Sequence, residues 1–154
     1  MKKTYFLLTF GLFLSLNLSA QFFEGKEEIQ TFSDGFYEFY FDKKENKIFL
    51  NIDRLDEDFL YVSALSQGLG SNDIGLDRGQ LGGEALVSFK KYGNRILLVQ
   101  QNTDYIAKTD NEAERISVEE AFTKSVLFGF DIVKESNGKY LVDATSFFMR
   151  DEHG

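Results

Sequence analysis

A strand, a glycine-rich loop and a hairpin follow one another from Phe59 to Gln101, and this order constrains the fold more than any other stretch. Residues 59–65 combine β-branched, aromatic and aliphatic side chains, which predicts a strand buried on both faces. Residues 95–100 are the most apolar run after the N-terminus and predict a central strand. Residues 85–90 predict its hairpin partner, because Gly93-Asn94 can form a tight turn between them. Strands joined by such a turn are antiparallel.

The loop between these strands, residues 68–83, holds six glycines among sixteen residues. Four aliphatic side chains recur in it: Leu69, Ile74, Leu76 and Leu81. We expect the aliphatics to attach an ordered loop to the core, while the glycines permit positive φ or close backbone approach. The loop is a candidate interaction surface, with Gly68, Gly70, Asn72, Asp73, Gly75, Asp77, Arg78 and Gly79 as its candidate residues.

This loop matches neither a nucleotide-binding nor a calcium-binding motif. It has neither the G-x-G-x-x-G nor the G-x-x-x-x-G-K-[ST] spacing, and it leads into a strand rather than a helix N-terminus. Asn72, Asp73 and Asp77 carry oxygen ligands, but their order differs from the D-x-[DN]-x-[DN]-G calcium pattern. A structural loop with local side-chain caps is the preferred interpretation.

The remaining patterns predict an α+β, β-dominated fold: a mainly antiparallel sheet of hairpins with one or two short helices. Residues 36–41 and 47–52 predict strands on either side of a polar turn at 42–46. Residues 126–134 and 140–142 predict another hairpin, turned by Ser136-Asn137-Gly138.

Between these hairpins the pattern is looser. Residues 102–107 predict a short edge strand, and residues 108–115 a charged loop. Ser117-Val118-Glu119-Glu120 fits a capping box with Ser117 as N-cap, which predicts a helix from there to about Ser125. Asp143 or Thr145 is expected to cap a second short helix through residues 147–149.

The N-terminus predicts export. Lys2-Lys3 precede an apolar run at residues 5–18, and Leu18-Ser19-Ala20 forms a small-residue cleavage site. We interpret residues 1–20 as a signal peptide, which places the protein in the periplasm, on the outer surface or outside the cell. Fourteen residues at about 1.5 Å each do not cross a hydrocarbon core of roughly 30 Å, so no stable membrane anchor is expected. Residues 21–35 are interpreted as a linker, and 36–154 as a β-rich domain that is incomplete at its C-terminus.

The composition argues against several activities. The formal net charge is −8, which disfavours nucleic acid as a partner because phosphates would be repelled. The chain has no cysteine and one histidine, His153, whereas a catalytic zinc needs three protein ligands. No catalytic residue and no metal ligand is therefore assigned, and no cofactor is expected in this chain.

Four segments resemble the N-terminal region of a family of large secreted bacterial zinc-dependent metalloproteases: Gly35-Phe36-Tyr37, residues 58–63, residues 68–79 and residues 97–102. The resemblance implies an N-terminal accessory region of unknown function, with a metzincin-like catalytic domain much later in the polypeptide. It implies a non-catalytic module that packs on the downstream catalytic domain or presents peptide substrate to it. Zinc is then expected only in that other domain.

A second function stays open at this point. The glycine-rich loop and the aromatic residues near it could instead form an independent extracytoplasmic module that binds a peptide or a glycan. An H-E-x-x-H segment later in the reading frame would separate the two hypotheses.

Overall fold

The computed structural model describes residues 22–65, 67–68 and 77–150. The expected signal peptide, His153 and four of the loop residues (Gly70, Asn72, Asp73 and Gly75) lie outside the described residues. The described strands are β1 (Ile29–Phe32), β2 (Glu38–Asp42), β3 (Lys47–Ile52), β4 (Asp58–Ala64), β5 (Leu81–Tyr92), β6 (Arg95–Gln100), β7 (Ser125–Ser136) and β8 (Lys139–Asp143). The described helices are α1 (Glu112–Ala121) and α2 (Thr145–Phe148).

All the strand pairs among the described residues are antiparallel, so the prediction of a β-dominated, mainly antiparallel fold with short helices is confirmed. The chain divides into two compact units, and β7 contributes residues to both. The strand order is β1-β2-β3-β8-β7 in the first unit and β7-β6-β5-β4 in the second.

Within the first unit, Tyr40, Phe49 and Leu141 form a buried cluster. Phe22 and Phe23 pack against it, with the Phe23 ring centroid 4.8 Å from that of Tyr40. Residues 21–35, which we interpreted as a linker, therefore contain core-packing aromatics as well as β1, which pairs with β2. β1 has only four residues, and two of them are polar, so the sequence did not predict a strand there.

The two predicted hairpin turns are present. Tyr92 pairs with Arg95, which leaves Gly93-Asn94 as a two-residue turn. Ser136 pairs with Lys139, and both residues of the Asn137-Gly138 turn have positive φ (52° and 74°). A turn with two positive φ angles matches the right-handed twist of the flanking strands, which explains the choice of asparagine and glycine.

In the second unit, β6 is central as predicted, with β5 and β7 on its two sides. Its Ile96 and Leu98 are almost fully buried, as are Val87 and Phe89 of β5 and Phe130 of β7. Phe147 of α2 also belongs to this core.

The prediction that residues 59–65 are buried on both faces is wrong. β4 is the last strand of its sheet, and its side chains alternate between exposed and half-buried. Leu60 is 65 % exposed, while Phe59 on the other face lies against Phe89, with ring centroids 5.3 Å apart. An edge strand covered on one face shows this alternation, whatever its apolar content.

Two boundaries also differ from the predictions. β5 begins at Leu81, inside the predicted loop, and Leu81 is 65 % exposed instead of attached to the core. Residues 102–107, which were expected to form an edge strand, form no strand; they lead into α1 as an irregular segment.

Candidate functional site

Helix α1 begins at Glu112, five residues before the predicted cap Ser117. Its N-cap is Asn111, whose side-chain oxygen accepts a hydrogen bond from the Ala113 N–H at 3.0 Å. The Asn111 side-chain amide donates to Glu114 at 3.2 Å, which places Glu114 at the third helical position of a capping arrangement. The capping box at Ser117 is therefore wrong, and Ser117 lies inside the helix. An asparagine followed by glutamate three residues later was the signal that sequence reasoning missed.

The helix has no buried residue. It spans ten residues, and an isolated helix of that length is marginal in water. Positions 115, 118, 119 and 122 share one side of the helix by their spacing, and all four line a groove. The helix is therefore exposed, and it borders this groove.

Asn102 forms the other wall of the groove. Its side-chain oxygen accepts hydrogen bonds from the N–H groups of Asp104 and Tyr105, at 3.1 and 3.2 Å. Its side-chain amide donates to the Tyr105 carbonyl at 3.1 Å and to the Phe122 carbonyl at 3.3 Å. One asparagine thereby connects the segment after β6 to the C-terminal end of α1.

Tyr105 and Phe122 lie face to face at this connection. Their ring centroids are 3.9 Å apart with an interplanar angle of 8°. Tyr105 is nevertheless 55 % exposed, Phe122 40 % and the adjacent Ile106 68 %. These three side chains therefore form a small apolar surface that is exposed to solvent. The hydrogen bonds of Asn102 hold the backbone of Tyr105 and Phe122 in place.

The groove has a volume of about 510 Å³ and is lined by residues 101, 102, 105–107, 115, 118, 119 and 122–124. Its charged lining residues are Arg115, Glu119 and Lys124. Arg115 is held near the start of the helix, since its guanidinium lies 3.5 Å from the Thr109 carbonyl. An apolar floor with a rim of both charge signs suits a polypeptide surface better than a strongly charged ligand.

The glycine-rich loop, the candidate from the sequence, is described only at its two ends. The Gly79 N–H donates to the Leu65 carbonyl at 2.7 Å, and the Leu65 N–H donates to the Gln80 carbonyl at 2.9 Å. These bonds close the loop at its base, and Gly79 has a φ of 80°, which favours glycine. Asp77 is half-buried, and Arg78 is exposed. Of the residues singled out, Gly68 and residues 77–79 are described, and none of them lines the groove.

Lys26, Asp42 and Glu45 form a charged cluster in the first unit. Asp42 is almost fully buried, and it accepts hydrogen bonds from the N–H groups of Lys44 and Glu45 and from the Lys26 ammonium, at 3.1, 2.9 and 3.1 Å. The bond from the Glu45 backbone lowers the pKa of Asp42 below 3.8, and the bond from Lys26 adds to this effect. Burial acts to lower the pKa of Lys26, but its bonds to Asp42 and Glu45 outweigh this and raise it above 10.5. The cluster fixes the β2–β3 turn, which is a structural role.

Within residues 22–65, 67–68 and 77–150, no three or more His, Cys, Asp or Glu side chains are grouped so that they could hold a metal ion. None of the described helices is long and apolar enough to cross a membrane.

Residues 79–154 match the model of a domain of unknown function, DUF5117. No curated protein and no solved structure matches the chain. The matched range contains the whole groove, and its description assigns no activity.

Proposed function

We propose that this chain is a non-catalytic docking module of an exported, zinc-dependent metalloprotease-like protein. The groove beside α1 receives part of the downstream catalytic domain, so that the module packs on that domain or presents peptide substrate to it. The observation that carries the proposal is the exposed Tyr105–Phe122 pair beside a helix with no buried residue. Zinc belongs to the catalytic domain, and Met1 to Ala20 direct export.

The physical argument rests on the cost of leaving these groups in water. Each aromatic side chain buries about 150–250 Å² in an interface, and tyrosine is among the residues enriched where binding energy concentrates. The Asn102 hydrogen bonds hold Tyr105 and Phe122 in place before any partner arrives, which lowers the entropy cost of docking. A partner that covers the groove would also stabilise the short helix α1.

A second candidate function is an independent extracytoplasmic module that binds a glycan or a peptide. The specific observation in its favour is the geometry of Tyr105, which stacks one face on Phe122 and remains 55 % exposed. A flat, exposed aromatic face of this kind can stack on a sugar ring.

Site-directed photo-crosslinking tests the proposal. The exported protein is produced in its own host with p-benzoylphenylalanine in place of Tyr105, irradiated, and analysed by mass spectrometry. We expect cross-links to a metallopeptidase domain of the same polypeptide. Tyr92 is the matched control, since it is 63 % exposed at the end of β5 and does not line the groove.

The outcomes separate the two candidates. Cross-links to a glycan or to a separate peptide would support the independent module. Equal cross-linking from positions 105 and 92, with no preferred product, would overturn the groove as a docking site.

A further inference from the structure

The outer edge of β4 offers a second surface, which is separate from the groove. β4 pairs with β5 on one side, and among the described residues no strand pairs with its other side. An unpaired strand edge presents a row of backbone donors and acceptors that can pair with another extended chain.

The register shows which residues carry these groups. The Gln101 N–H donates to the Leu86 carbonyl at 2.8 Å, so the backbone groups of Leu86 point away from β4. Backbone groups alternate along a strand, and those of Val87 therefore point towards β4, where Val87 pairs with Phe59.

It follows that Phe59 and Tyr61 carry the hydrogen bonds between β4 and β5. The N–H and C=O groups of Asp58, Leu60 and Val62 point to the open edge. The Asp56 N–H donates to the Phe89 carbonyl at 2.9 Å. The backbone carbonyl of Phe89 therefore points towards β4, like that of Val87 two residues earlier in β5.

The side chains at the open edge are apolar. Leu60 is 65 % exposed and Val62 38 %, and Leu86, which pairs with Leu60, is 37 % exposed on the same face. The regular part of the edge ends at Ser63, where the register between β4 and β5 shifts. At this point Gly82 of β5 lies so close to Ser63 that a Cβ on it would collide with the Ser63 side chain.

The start of β4 is acidic. Asp56, Glu57 and Asp58 are consecutive, and Lys90 pairs with Asp56 at 2.9 Å. The carboxylate of Asp58 accepts a hydrogen bond from the neutral Gln101 amide at 2.9 Å, whereas Lys90 forms its ion pair with Asp56 and acts on Asp58 only as a weaker, additional charge. A basic side chain opposite Asp58 would complement this end of the strand.

We propose that β4 accepts an extended polypeptide segment as an additional antiparallel strand. The segment carries an apolar residue opposite Val62, another opposite Leu60, and a lysine or arginine opposite Asp58. In its own N-to-C direction it reads apolar-x-apolar-x-basic. Main-chain hydrogen bonds hold the segment, and these three side chains select it.

A second copy of the chain fits this edge less well. Antiparallel self-pairing centred on Leu60 places Asp58 of one copy opposite Val62 of the other, so no cation meets the carboxylate. The net charge of −8 on each copy also opposes association.

The test is a titration of the full ¹⁵N-labelled chain with the capped peptide Ser-Val-Thr-Leu-Ser-Lys-Ser, followed by NMR. We expect the amides of Leu60 and Val62 to shift and to gain protection from hydrogen exchange. N-methylation of the peptide Leu, whose amide faces β4, should weaken binding by about tenfold or more, since a hydrogen bond is lost and a clash is added. N-methylation of the central Thr, whose amide faces away, is the matched control and should leave affinity unchanged.

A charge swap tests the basic position. Replacing the peptide Lys by Glu should weaken binding by about three- to fivefold, and Asp58→Lys in the protein should restore it. Glu120→Lys makes the same charge change on α1 and should not restore it. Equal effects of the two N-methylated peptides, no binding, or protection of Leu60 and Val62 through dimerisation without peptide would each overturn the proposal.

Discussion

Two groups of aromatic side chains in the second unit differ in their surroundings. The inner cluster consists of Phe89, Phe128, Phe130 and Phe147, and Phe130 in it is 1 % exposed. The outer pair consists of Tyr105 and Phe122, which stack closely and yet remain exposed. Similar residue types thus supply the core in one place and a surface in the other.

The difference teaches that ring contact and burial are separate quantities. Phe130 has three ring neighbours, with centroids at 4.8, 5.3 and 6.0 Å, and strands β5 and β7 supply two of them. Among the described residues, the outer pair has one close ring contact, the stacking of Tyr105 on Phe122, and the two rings follow the ends of β6 and α1. Because apolar stabilisation scales with the area removed from water at about 25 cal/mol per Å², the inner cluster contributes more to stability than the outer pair.

The largest expected effect is on the inner cluster. Phe130→Ala should lower the free energy of unfolding by about 3–5 kcal/mol, because a buried ring is replaced by a cavity. Phe122→Ala, the matched change in the outer pair, should cost less than about 1 kcal/mol. Urea-induced unfolding of the full chain measures both.

If Phe130→Ala does not fold, Phe130→Leu keeps the comparison measurable, with a smaller loss than the alanine variant. Equal losses at positions 130 and 122 would show that the outer pair is also part of the core.

A pH-dependent effect is expected in the first unit and sharpens the comparison, because burial of phenylalanine does not depend on pH. The pKa of Asp42 is lowered in the folded chain, so its carboxylate stabilises the fold above the ordinary value of 3.8. This contribution is lost as the pH falls through the lowered pKa. Asp42→Asn should therefore be less stable than the natural chain at neutral pH, and the difference should shrink below 3.8.

Equilibrium unfolding across an acidic pH series measures this difference. Asp34→Asn is the control, since Asp34 is exposed in the same unit. A stability difference for Asp42→Asn that stays constant with pH would contradict the assigned role of its charge.

The smallest effect is expected at helix α1. Asn111→Ala removes the N-cap and should cost about 1 kcal/mol of helix stability, seen as faster amide exchange in residues 112–121. Global unfolding should change little, because the helix has no buried residue. Ser117→Ala is the control and should not speed exchange, since alanine is the better helix former. Faster exchange in Ser117→Ala alone would restore the capping box that the sequence suggested.

The sequence predicted strands better than it predicted their surroundings. The sequence predicted that β4 and β6 are both buried, yet among the described strands β6 has a neighbour on each side and β4 has one. Local apolarity indicates the tendency to form a strand, whereas burial depends on the neighbouring strands and on what covers each face of the sheet. The same reliance on local apolarity explains why β1 was not predicted. Its pairing with β2 depends on residues of another strand.

The candidate site was hidden for a related reason. Asn102 and Phe122 are twenty residues apart, and the hydrogen bond that joins them defines the groove. No local pattern reports a contact across that distance. The cap of α1 was local and could have been found, had Asn111 and Glu114 been considered together.

The sequence by itself determined the antiparallel hairpins, the turns at Gly93-Asn94 and Asn137-Gly138, and the acidity of the chain, because these depend on short-range backbone preferences and on composition. The tertiary structure decided which aromatics became core, which strand became an edge, and where a groove formed. These depend on which segments become neighbours in space, and burial is set by all of those neighbours together.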